Sequence, residues 1–311
     1  MTSSPLTDWS ATQLSAAIHA RQVSCREVMQ ATLARIDAVN PTFNAIVSRV
    51  DGDALLAQAD AHDAMLARGE SKGWLHGMPQ AIKDIAPTAG IATTSGSPLL
   101  AHFVPKEDGL MVARMKAAGC IVIGKTNVPE FGLGSHTFNT VFGATGNAYD
   151  PTKTAGGSSG GAAVALATRM VAVADGSDFM GSLRNPAGWN NIFGMRPSQG
   201  RVPMWPVQDV WVSQLGTEGP MGRSVEDVAR LLAVQAGWDA RCPLSIACDG
   251  QAFNGHLNIN LAGRRIGWLG DLNGYLPMEA GVLDACQNGL DRLQDMGCGV
   301  DNATLPMAPE R

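Results

Sequence analysis

"TAGGSSGGAAVALA", Thr154 to Ala167, is the stretch whose reading decides the fold. Four glycines and two serines fill positions 156–161 and lead straight into alanine, valine and leucine. Such a patch has three readings: a flexible linker, a phosphate loop, or part of a catalytic serine site. A linker is flanked by polar, unstructured sequence, whereas this patch is followed by "AAVALATRMVAVAD", apolar on nearly all sides. A helix apolar all round is a buried one, so the patch opens a central helix. A phosphate loop closes on Gly-Lys-Ser/Thr. Here the sequence closes on Gly160-Gly161-Ala162, with no lysine.

Outward from this helix, strands and helices alternate. "QAIKDI" (80–85), "CIVIGKTN" (120–127), "MVAVAD" (170–175) and "RRIGWL" (264–269) read as strands. "EDGLMVARMKAAG" (107–119) reads as a helix with Gly119 as its C-cap. "SVEDVARLLAVQAG" (224–237) opens on Ser224 with an acidic residue, Asp227, three positions on. "EAGVLDACQNGLDRLQDMG" (279–297) is a further helix, after which a strand begins. Alternation of this kind predicts an α/β protein with a central mixed, mostly parallel twisted sheet covered by helices on both faces. Before it, "DWSATQLSAAIHAR", "CREVMQATLARIDAVN" and "DGDALLAQADAHDAMLARGE" predict three helices, the second stopping at Asn40-Pro41. The expected organisation is one domain over 1–311: a helical segment (1–70), a catalytic core (71–240) and the start of an incomplete C-terminal portion (241–311).

Composition narrows the function. A formal charge of -5 and a pI near 5.7 speak against an electrostatic nucleic-acid binder. No apolar run reaches the ~18 residues of a spanning helix, and "MTSSPLTDWS" has no signal-peptide pattern. The six cysteines are scattered without a CxxC, and the histidines lack HExxH spacing. The expectation is a cytoplasmic protein without nucleic-acid or membrane partner, metal or cofactor.

The serine-site reading needs a base, and Lys83 lies in the otherwise apolar strand 80–85. Burial lowers a lysine's pKa toward neutrality, and a neutral amine is a base. A second glycine–serine turn, "DGSDFMGSLRNPAGWNN" (175–191), follows the strand 170–175. It offers hydroxyls for such a base to activate.

These stretches, with "GKTNVPEFGLGSHTFNTVFGATGNAYDPTKTAGGSSGG" (124–161) and "GTEGPMGRSVEDVA" (216–229), resemble the amidase signature family of serine amidohydrolases in order and interval. The resemblance implies Ser182 as nucleophile, Ser158 as bridging serine and Lys83 as base, their side chains in contact at about 2.6–3.2 Å. It implies a cis Gly157–Ser158 peptide. It implies an oxyanion hole from the backbone N–H groups of Phe179, Met180 and Gly181, and a supporting network of Ser159, Asp178 and Arg184. Asp178 and Arg184 also admit the plainer reading of an ion pair near a turn. The expected substrate is a small-molecule amide, linear or cyclic, hydrolysed by a stand-alone bacterial amidase with no cofactor. The alternatives are an amidotransferase A-type subunit that releases ammonia for a partner, and an inactive fragment that acts at most as a binding protein. Family members are longer, which implies that the C-terminal part of the fold is missing; an uncovered sheet edge favours self-association into a homo-oligomer. Asn139 and Phe142 lie on a loop that the resemblance sets beside the substrate pocket. There they either touch substrate or order the loop. Met180 stands where the family's turn has glycine: either its dihedrals are ordinary or the oxyanion loop is altered. Ser95, Ser97 and Ser135 read as turn formers, His136 as non-catalytic, and Trp205 and Trp211 as packing residues or pocket lining.

Overall fold

The computed structural model describes residues 5–207, 209, 215–255 and 257–305. The chain forms two compact units, 1–255 and 256–311, where a single domain was expected.

In the first unit, α1 (Ala11–His19) and α2 (Cys25–Phe43) both start on a capping box, with Ser10 accepting from Gln13 N and Ser24 from Glu27 N. α2 runs through Pro41, past the expected stop, and ends at Asn44 in the left-handed conformation. Only one turn follows the proline. The Asn40 amide side chain then binds the backbone beyond it, accepting from Ala45 N and Ile46 N and donating to Ile46 O. That fixes the entry into β1 (Ile46–Val47), which α3 (Gly52–Ala67) follows.

β2 (Pro79–Lys83) and β3 (Ile121–Thr126) flank α4 (Leu110–Ala117) in sequence and pair in parallel, with β1 antiparallel on the far side of β3. A bulge between Gln80 and Ala81 shifts the register. β4 (Phe138–Asn139) and β5 (Gly143–Ala144) form a small hairpin. α5 (Gly160–Ala167) is the central helix that the glycine–serine patch announces, buried from Gly160 to Leu166.

β6 (Val173–Asp178) begins three residues later than expected. The apolar run 170–174 suggested the strand, but only Val173 and Ala174 of it enter the ladder, which continues through Asp175, Gly176, Ser177 and Asp178. α6 (Arg184–Trp189), β7 (Phe193–Gly194), β8 (Thr217–Gly222) and α7 (Val225–Gln235) complete the core, and β8 lies between β6 and β7, antiparallel to both. The sheet elements are thus mixed but less parallel than the alternation implied. Between β6 and β8 the described residues hold the six-residue α6 and the two-residue β7, and β8 runs antiparallel to both of its neighbours.

In the second unit, β9 (Arg265–Trp268), α8 (Val282–Asp295) and β10 (Gly299–Asn302) make a βαβ unit with its strands parallel. Among the described residues no helix is long and apolar enough to cross a membrane.

Candidate active site

Lys83 ends β2, a strand buried at every position, and is itself 1% exposed. Its backbone N–H donates to Asp175 Oδ2 at 3.0 Å, which couples β2 to β6. Its Nζ lies 2.8 Å from Ser158 Oγ, 2.8 Å from Ser159 Oγ and 2.9 Å from Ser177 Oγ. Burial pushes the amine down to about 7, against the opposing pull of the Asp175, Asp178 and Glu218 carboxylates. A lysine so placed is a base near neutral pH.

The turn before α5 presents the two serines. The Gly157–Ser158 peptide is cis, as the resemblance implied. Gly156 has φ 74°, and a Cβ there would meet Asn185 Oδ1 at 2.6 Å. The Ser159 N–H donates to Ser182 O at 3.3 Å, tying this turn to the one after β6.

That second turn is organised by Asp178, whose side chain is fully buried. Its carboxylate accepts from the N–H groups of Gly181 (2.8 Å) and Leu183 (3.1 Å), from Arg184 Nε (3.0 Å) and Nη2 (3.1 Å), and from Arg196 Nη1 (2.9 Å). Burial alone would raise this carboxyl. Arg184, the Gly181 and Leu183 N–H groups and Arg196 together hold it well below the usual carboxylate range. Arg196 was not singled out from the sequence. Its guanidinium also binds the carbonyls of Asp178 and Leu215. An arginine 18 residues downstream of its carboxylate carries no spacing signal.

Ser182 sits half-buried on this turn. Of the two contacts the resemblance implied, Lys83 to Ser158 is formed; Ser158 to Ser182 is not, and the Ser182 hydroxyl has no hydrogen-bond partner among the described residues. Catalytic hydrogen bonds are often long before substrate binds and tighten in the complex. Of the expected oxyanion donors, Gly181 N–H is committed to Asp178. Those of Phe179 and Met180 have no partner among the described residues. Met180 keeps an ordinary φ and points outward, 84% exposed, while Gly181 takes the positive φ of 116°. The glycine requirement of the turn therefore falls on one position.

Asn139 is ordered into its own loop: its amide donates to Asn127 Oδ1 and Val128 O and accepts from Val141 N and Phe142 N. With both donors and both acceptor positions used, it has nothing left for substrate. Phe142 is half-buried, and its carbonyl accepts from Asn44. His136 Nδ1 meets the Thr154 hydroxyl at 2.9 Å. The Arg241 guanidinium lies over the Trp205 ring; Trp211 falls outside the described residues.

Replacing Asp178 by Asn puts an amide donor among arginine and backbone donors. The expected loss is about 2–3 kcal/mol of stability, moderated because Arg184 and Arg196 remain 56% and 26% exposed to water. The depressed carboxyl contributes stability above its unfolded value near 3.8 that is lost as the pH falls through that value and below. The variant should therefore show a shallower acid limb in urea titrations at pH 2–5.

The chain is 39% identical over 294 residues to the A-type subunit of the glutamyl-tRNA(Gln) amidotransferase of Thioalkalivibrio sulfidiphilus, covering 94% of this chain and 60% of the relative. With the corresponding protein of Thiobacillus denitrificans it shares 41% identity over 282 residues, 90% of this chain and 58% of the relative. Among solved structures it superposes on a bacterial aryl acylamidase with a TM-score of 0.90 at 31% identity, over 99% of this chain and 64% of that one. On the peptide amidase of Stenotrophomonas maltophilia the TM-score is 0.87 at 31% identity, over 97% and 63%. The chain thus spans about 60% of the length of the curated relatives it matches. The Amidase family model matches residues 27–311, and the chain belongs to the amidase family.

Proposed function

We propose that this chain carries the catalytic residues of a serine amidase that hydrolyses a carbon–nitrogen amide bond through Lys83, Ser158 and Ser182. The observation that carries the reading is a buried amine, held near neutrality, 2.8 Å from the Ser158 hydroxyl. Neutral Lys83 takes the Ser158 proton while Ser158 takes that of Ser182. The Ser182 oxygen bonds to the amide carbon, and the negative charge that develops on the carbonyl oxygen is met by the N–H groups of Phe179 and Met180. When the tetrahedral centre collapses, the carbon–nitrogen bond breaks and the relay returns the proton to the leaving amine or ammonia. Water, activated by the same relay, cleaves the acyl–Ser182 ester to release the carboxylate. Proton transfer, attack and collapse are all performed by protein groups. Ser159, Asp178, Arg184 and Arg196 hold the two turns in register.

A second reading has its own support, the 39–41% identity to the amidotransferase relatives. In that case the ammonia released by the same chemistry passes to a partner. Parallel assays of ammonia release from glutamine and of anilide hydrolysis separate the two: activity on anilides but not on glutamine favours the stand-alone enzyme.

The nucleophile is tested with a fluorophosphonate probe, which phosphonylates an activated serine. The wild type is expected to be labelled and Ser182→Ala to be silent. Label retained on the variant would move the nucleophile elsewhere.

A further inference from the structure

A second buried amine stands one strand away from the first. Lys125 on β3 is fully buried, and the register of β2 with β3 sets it beside Ile82, with Lys83 beside Thr126. Its side chain serves the turn that follows Lys83. Nζ donates to Ala86 O at 2.6 Å, to Thr88 Oγ1 at 2.7 Å and to Thr93 Oγ1 at 3.2 Å. Ala86 closes that turn on Lys83, its N–H donating to Lys83 O at 2.9 Å. Both threonines are buried as well.

The three contacts call for an ammonium. The Thr88 hydroxyl donates to Ala86 O at 3.1 Å, and the Thr93 hydroxyl donates to Ile91 O at 3.2 Å. Toward Lys125 both can then only accept, as the Ala86 carbonyl does. A protonated amine has an N–H for each of the three oxygens, whereas a neutral one falls short. The two lysines on adjoining strands therefore have opposite duties. Lys83 must shed its proton to act, and Lys125 must keep its own to hold its neighbours.

We propose that Lys125 is a positioning residue for the relay: as a cation it clamps the turn after Lys83 to the 88–93 loop, and so keeps the base buried among the serine hydroxyls. The clamp acts through Ala86 and touches no substrate. The charged and titratable groups facing Lys125 are Asp84 in the turn itself, Asp175 on β6, Lys116 on α4 and Asp108 just before α4. Asp108 and Lys116 pair with each other at 2.7 Å, and the Asp84 carboxylate accepts from Thr94 Oγ1 at 2.6 Å. Burial brings Lys125 down to about 8, with the Asp84 and Asp175 carboxylates pulling the other way. At pH 7, where Lys83 is half neutral, Lys125 is thus still mostly charged, and the clamp weakens only as the pH rises past its own value.

The inference rests on the amidase reading in naming Lys83 the base, so the test reads that lysine directly. Protein carrying ¹³C-labelled lysine is titrated by NMR, with signals assigned by their absence in Lys83→Met and Lys125→Met. In Lys125→Met the released turn admits water to the Lys83 amine, and its midpoint is expected to rise by roughly one pH unit. About a tenth of the amine is then neutral at pH 7, so kcat there should fall about fivefold with KM little changed. Thr88→Val leaves the Lys125 charge in place and removes one arm of the clamp; a smaller rise of the Lys83 midpoint is expected. A midpoint unchanged or lowered in Lys125→Met overturns the proposal, whether or not the protein turns over any amide. A rise in Lys125→Met with none in Thr88→Val assigns the effect to charge alone and overturns it too. Absence of wild-type turnover together with the expected shifts overturns the amidase reading alone. Should Lys125→Met fail to fold, Thr88→Val decides, and an unmoved Lys83 midpoint in it overturns the clamp.

Discussion

Lys83→Met should abolish amide hydrolysis, lowering kcat/KM by at least about 10³, while the protein still folds. The side chain is close in length and keeps the packing of β2, but it removes the group hydrogen-bonded to Ser158, Ser159 and Ser177 together. General-base assistance alone is worth about 10²–10⁴. Without it a serine hydroxyl is a poor nucleophile, and the residual rate reflects binding and the oxyanion donors. The same variant tests the buried amine thermodynamically. In the folded protein Lys83 loses its proton near pH 7, whereas in the unfolded chain it does so near 10.5. Between those values the unfolded chain binds more protons, so this group makes wild-type stability rise with pH, by a few kcal/mol across the window. Other groups titrate there too, notably Lys125, so the difference between wild type and variant is the informative quantity. That difference should slope upward from pH 7 to 10 in chemical denaturation; parallel curves would mean a lysine that is not desolvated.

Gly161→Ala should prevent folding or cost more than about 4 kcal/mol. A Cβ at Gly161 would lie 2.3 Å from Asn127 N, 2.7 Å from Asn127 O and 2.7 Å from Ala45 O. All three are backbone atoms, so no side-chain rotation relieves the contact. Moving α5 outward instead would break the Gly161 N–H bond to Asn127 O and the Asn127 N–H bond to Ala45 O. It would also open voids around a helix buried along nearly its whole length, and both overpacking and cavities destabilise cores. The expected result is insoluble or protease-sensitive protein by limited proteolysis, with no fluorophosphonate labelling. A variant that is native by circular dichroism and proteolysis would show that α5 has slack the packing does not suggest. Glycine at 161 is therefore needed for close approach and not for catalysis.

How much was legible beforehand follows from where the information lies. The glycine–serine patch identified a buried helix because its flank is continuously apolar, and Lys83 stood out as a charge in an apolar strand. Ser158, Ser182 and Asp178 rested on the resemblance to the amidase signature family. Arg196, Ser177 and Glu218 were missed because nothing local marks them. Arg196 reaches Asp178 from the segment after β7, whereas Ser177 and Glu218 meet through the pairing of β6 with β8, which joins "VADGSD" to "TEGPMG". Neither segment shows the apolar alternation that announces a strand. The same absence explains why β6 was expected at the apolar run just before it. Helix α2 outran its expected stop for a different reason, because the Asn40 side chain supplied backbone bonds that a reading of proline alone does not anticipate.

The hydroxyls around the Lys83 amine also fix the direction of traffic. An uncharged amine offers two hydrogens and one lone pair, and around it stand the Ser158, Ser159 and Ser177 hydroxyls and, at 3.4 Å, the Ser177 carbonyl, which can only receive. The Ser159 hydrogen is directed to the Ser177 carbonyl at 3.3 Å. Ser159 can then only receive, and if Ser177 receives as well, the lone pair is left for Ser158. Counting hydrogens thus makes the pair beside the bridging serine a matched combination: alanine at 159 or 177 would free a hydrogen on the amine to compete for Ser158, and the catalytic circuit would lose its polarity before it lost any of its members.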